Sequence, residues 1–108
     1  MNISIVSVHC VKNDAISNVM KTYADWIRAE VGYTVKCYGY HTEYTQSELP
    51  FQQVENAGQL LLDAHFQSSS IVIFQFGIYY PLMDLISLIP IHAKALVIFH
   101  NITPKEFM

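Results

Sequence analysis

The chain has 108 residues, which suffices for one small domain. Hydrophobic residues make up 52% and charged residues 14%, a composition that builds a core and excludes the disordered class. The net charge is −3 and no basic run occurs, so a nucleic-acid partner is not expected.

The opening Met1-Asn2-Ile3-Ser4 lacks the basic and long apolar regions of a signal peptide. Ile3 to Val8 instead reads as a strand covered on both faces, being apolar with small serines between. Asn13-Asp14 offers a helix cap. Behind it Ile16, Val19, Met20, Tyr23, Ala24, Ile27 and Val31 recur at helical spacing, and Gly32 supplies the left-handed stop. Thr34 to Tyr38 is the next strand. Its alternation with Lys36 predicts an edge position.

Gly39 to Phe51 is polar and tyrosine-rich and reads as loop. A helix is expected from about Gln52 to Phe66, with Val54, Ala57, Leu61 and Ala64 on one face. Ile71 to Phe76 is a continuous β-branched and aromatic run, the strongest strand signal. Pro81 opens a further predicted helix with Leu82, Leu85, Ile86 and Ile89 on its buried face, closed by Pro90. Residues 71–91 are too interrupted, by Gln75, Gly77, Pro81, Asp84 and Pro90, to read as a membrane span. Ala95 to Phe99 is the last predicted strand and reads as buried on both faces. Thr103-Pro104-Lys105-Glu106 then has the chemistry of a helix start, so the expectation is that more protein follows Met108.

This alternation predicts an α/β, Rossmann-like three-layer fold with a parallel sheet of about four strands, in the order 2-1-3-4 and with the Ile71 strand central. Ligands in such sheets bind beyond the carboxyl ends of the strands, where the order reverses. The loops expected there are His9 to Asp14, Gly77 to Tyr80 and His100 to Thr103.

Several residues in those loops have usable chemistry. His100 can exchange a proton near neutral pH or donate to a sugar hydroxyl, although position alone also fits an ordinary histidine and turn asparagine at His100-Asn101. Asp14 can accept from a ligand hydroxyl, and equally can cap a helix. Gly77 permits close backbone approach, or simply makes a turn. Cys10 falls near a helix N-terminus, where thiols can be acidified, but nothing beside it suggests nucleophilic catalysis. His9-Cys10 and Cys37-x3-His41 lack the compact spacing of a zinc site, so no metal is expected. Two cysteines are too few for a disulfide scaffold and fit a reducing compartment. No glycine-rich phosphate cradle follows the first strand.

Three segments together resemble a known family. Asn13-Asp14-Ala15-Ile16-Ser17-Asn18 is similar to the Gly-Asp-Ala-Ile-Ser-Asn loop of a bacterial group of family 4 glycosyltransferases. Phe76-Gly77-Ile78-Tyr79-Tyr80-Pro81-Leu82 resembles that group's segment after its third strand, and His100-Asn101-Ile102-Thr103-Pro104-Lys105-Glu106-Phe107 its His-Asn-Ile-Thr-Pro-Pro-Glu-Phe run. The departures are Asn13 for glycine and Lys105 for proline. The resemblance implies the acceptor-side half of a two-domain GT-B enzyme, which transfers a sugar from a nucleotide-sugar donor with retention. It implies that His100 faces the transferred sugar. Asn13, Asp14 and Ala15 would border the acceptor, with Gly77, Ile78, Tyr79 and Asn101 shaping its pocket. The acceptor would be a glycan or lipid-linked molecule, the donor domain would lie further along the parent chain, and no metal or other cofactor is implied. The expected place is the cytoplasm, at the membrane periphery where the acceptor is lipid-linked. An isolated chain of this length is expected to be inactive and to self-associate through Ala95 to Phe99. The alternative is a free-standing flavodoxin-like module that binds a small ligand or a protein without catalysis.

Overall fold

The computed structural model of the chain describes residues 1–76, Leu82, Ile89 and residues 92–99. The elements run β1 (Asn2–Val6), β2 (His9–Cys10), α1 (Ala15–Arg28), β3 (Thr34–Gly39), β4 (His41–Thr42), β5 (Phe51–Gln53), α2 (Ala57–Leu61), α3 (Ala64–Gln67), β6 (Ser69–Phe76) and β7 (Lys94–Phe99). The fold is α/β, with a parallel sheet in the order β5-β3-β1-β6-β7.

That order departs from the expected 2-1-3-4 by a fifth strand. β5 pairs Cys37 with Phe51 and Gly39 with Gln53, on the far side of β3 from β1. The Thr34 strand is therefore not outermost along its carboxyl half. Lys36 owes its place to a partner and not to an edge: its Nζ donates to Asp63 Oδ1 at 3.2 Å. The Ile71 strand is interior, between β1 and β7, while β1 is the middle strand.

Register explains how one short strand serves two cores. Ile5 is level with Cys37 and Ile73, and Val6 with Tyr38 and Phe74. Successive strand residues point to opposite faces, so the two rows build opposite layers. On one face Ile5 and Cys37 pack with Met20 and Ala24 of α1 and with Leu49 and Phe51. On the other, Val6, Tyr38 and Phe74 pack with Val54, Leu60, Phe66 and Leu82. The segment 39–51, read as loop, thus supplies Leu49 and Phe51 to the core. Its turn is held by a capping box, in which Glu48 Oε1 accepts from the Thr45 N–H at 2.9 Å and Thr45 Oγ1 accepts from the Glu48 N–H at 3.3 Å. The Thr45 N–H and hydroxyl, both donating to Glu48 Oε1, hold the Glu48 carboxyl below the usual carboxylate range.

Other expectations are corrected. The first strand ends at Val6 and not Val8. α1 ends at Arg28, so Val31 lies past the helix and is 98% exposed, while Gly32 (φ 89°) makes the turn into β3. The single helix expected over 52–66 is β5 followed by two short helices. Asn56 and Asp63 break it, each accepting from a backbone N–H three residues on, Gln59 and Phe66 respectively. Asp63 also accepts from the Tyr38 hydroxyl, which ties α3 to β3. Burial works to raise the Asp63 carboxyl, but hydrogen bonds from Tyr38, the Phe66 N–H and Lys36 outweigh it and hold it low. Burial, then Asp63 itself, pushes the Tyr38 hydroxyl far up.

The last predicted strand was expected to be buried on both faces. β7 instead leaves Leu96 51% and Val97 36% exposed, because β6 is its one strand neighbour among the described residues. The predicted helix behind Pro81 and the helix start at Thr103 lie outside the described residues, apart from Leu82, which is buried, and Ile89, which packs against the same core. Among the described residues no helix is long and apolar enough to cross a membrane.

Candidate functional site at the carboxyl end of the sheet

The strand order reverses at β1, which pairs with β3 on one side and β6 on the other. A crevice at the carboxyl ends of these strands is the place for a ligand in such a sheet. β1 reaches it first. Beyond Val6 the chain stays beside the end of β3: the Ser7 N–H donates to Tyr38 O at 3.0 Å and the Tyr40 N–H to Val8 O at 2.7 Å. It then forms a small parallel pair, β2 with β4, which sets His9 level with His41. Thr42 Oγ1 donates to Cys10 O at 2.8 Å and the Glu43 N–H to the same carbonyl at 3.1 Å. Glu43 Oε1 in turn accepts from the Lys12 N–H at 2.7 Å. Two ammonium groups lie over the Tyr44 ring, Lys12 at 5.7 Å and Lys21 at 5.9 Å from its centroid.

The turn into α1 follows. Asn13 has φ 64° and is the one non-glycine residue with positive φ among those described. Asn is among the few side chains that tolerate this region. Asp14 is the N-cap, and its Oδ2 accepts from both the Ser17 N–H (2.9 Å) and the Ser17 hydroxyl (2.8 Å). Ala15 opens the helix and is exposed. His9 Nε2 approaches Asp14 Oδ2 at 3.9 Å, with both side chains partly open to solvent.

His9, Asp14 and Ser17 therefore meet, but not as a nucleophilic triad. Ser17 is fully buried, donates directly to the carboxylate and accepts from the Val11 N–H at 3.0 Å. Its hydroxyl is turned into the fold, with no histidine to take its proton. On the outer side of this cluster Asn13 is exposed and His9 and Asp14 are partly exposed. That surface can donate and accept hydrogen bonds at a polyol.

Cys10 does not show the acidification that a helix N-terminus can bring. Burial, and then the Asp14 charge, push its thiol up to about 11. Its Sγ donates to Ser17 O at 3.6 Å, and both cysteines are free and buried. Among the described residues no group of three or more His, Cys, Asp or Glu side chains is placed to hold a metal ion.

Of the other expected site residues, the sheet fixes only the points of departure. β6 and β7 end side by side, Phe76 level with Phe99, and Gly77 and His100 follow them in sequence. Gly77, Ile78, Tyr79, His100 and Asn101 themselves lie outside the described residues. Gly39, read from the sequence as the first residue of a loop, is instead the last residue of β3 and pairs with Gln53. A Cβ there would stand 2.7 Å from Ser7 O, 3.0 Å from Val8 O and 3.1 Å from Phe51 Cζ. This glycine lets the β1 exit lie against β3, and so sets where the loop begins. No family model, no curated protein and no solved structure matches the chain.

The positive φ at Asn13 gives a test of the turn. Asn13→Gly should leave stability unchanged or slightly raised. Asn13→Val should cost about 1–2 kcal/mol, since a β-branched residue resists this conformation. Urea midpoints of the two variants measure the difference.

Proposed function

We propose that the chain forms the acceptor-side wall of a retaining glycosyltransferase of the GT-B type, with the nucleotide-sugar donor held by a second domain of a longer parent. One observation supports this reading beyond the likeness of three segments. The residue at which this sequence departs from the resembling Gly-Asp-Ala-Ile-Ser-Asn loop, Asn13, has the left-handed backbone that glycine adopts most readily. In the same reading Asn13, Asp14 and Ala15 border a glycan or lipid-linked acceptor, and His100 faces the sugar. The donor class and the unpaired thiols both fit the cytoplasm, at the membrane surface if the acceptor is lipid-linked.

Sugar transfer needs donor and acceptor held together, and one wall of a cleft cannot do that. The 108-residue chain alone should therefore turn over no nucleotide-sugar. In the parent enzyme, His100→Ala should lower turnover far more than Lys105→Ala. Equal activity of the two variants would remove His100 from the site. A reading frame that stops after Met108, together with saturable binding of a small ligand by the chain alone, would replace this reading with the free-standing binding module.

A further inference from the structure

We draw no further inference here: the strongest candidate, the apolar recess between α1 and the β6–β7 side of the sheet, lined by Tyr23, Trp26, Ile27, Ile73, Leu96 and Ile98, carries nothing because nothing in the structure shows what covers it.

Discussion

Phe66→Ala is expected to destabilise the fold by about 3–5 kcal/mol, the range for removing a buried aromatic side chain. Phe66 is fully buried and packs in the layer with Val6, Tyr38 and Phe74, which come from β1, β3 and β6. It meets the Tyr38 ring edge to face, with centroids 6.2 Å apart and planes at 88°. α3 has four residues and cannot persist on its own propensity. Its cap survives the substitution, because Asp63 accepts from the backbone N–H of residue 66 at 3.1 Å. The loss is then one of packing, which leaves a cavity that a single turn of helix cannot close. A small domain has about 5–15 kcal/mol in total, so much of the margin goes. Urea denaturation followed by far-ultraviolet circular dichroism measures it. Phe66→Leu, which keeps most of the volume, should cost well under half as much. A loss below about 1 kcal/mol for Phe66→Ala would mean that this layer is not packed as described.

Gly39→Ala should cost about 1–3 kcal/mol, as an overpacked core position does. The cause is steric. Two of the three atoms that a Cβ would meet are the backbone carbonyl oxygens of Ser7 and Val8, which cannot rotate aside as a side chain can. Relief requires the β1 exit to move, and with it the Tyr40 N–H bond to Val8 O and the pairing of His9 with His41. Amide exchange at Tyr40 should accelerate beyond the global loss of stability. Gly32→Ala is the contrasting case. No atom lies within 4 Å of its added Cβ, and the strain comes from φ 89° alone. It should lower stability without touching exchange at Tyr40. Wild-type exchange at Tyr40 in Gly39→Ala would show that the exit loop does not depend on this contact.

The four long strands were legible because three are local apolar runs and the fourth, Thr34 to Tyr38, alternates apolar with polar residues. β5 was not, since Phe51-Gln52-Gln53 carries too little pattern to announce itself and is defined by its register against Cys37–Gly39. The helix expected over 52–66 shows the opposite error. Its apolar spacing is real, but Asn56 and Asp63 cap two short helices, and Asp63 is tied as well to Tyr38 and Lys36 across the fold. The Thr45-x2-Glu48 capping box was readable and would have marked an ordered turn in the tyrosine-rich stretch. At the candidate site, the cap at Asp14 and the tolerance of Asn13 for a left-handed backbone follow from residue type. The role of Gly39 does not, because it arises where two segments distant in sequence come close.

The two thiols record something about motion. Cys10 and Cys37 are both fully buried in the layer beneath α1, and burial pushes both thiols up, Cys10 to about 11. At neutral pH neither offers a reactive thiolate to solvent while that layer is closed. Covalent labelling therefore counts excursions in which the layer has parted, and its rate divided by that of a free thiol is the equilibrium constant for opening. If the two sites label together, the layer parts as one cooperative unit. If Cys10, nearer the exit loop, labels first, the loop frays ahead of the sheet. The chain thus has a native clock for its slow fluctuations, set in the layer that joins the main sheet to the exit loop of β1.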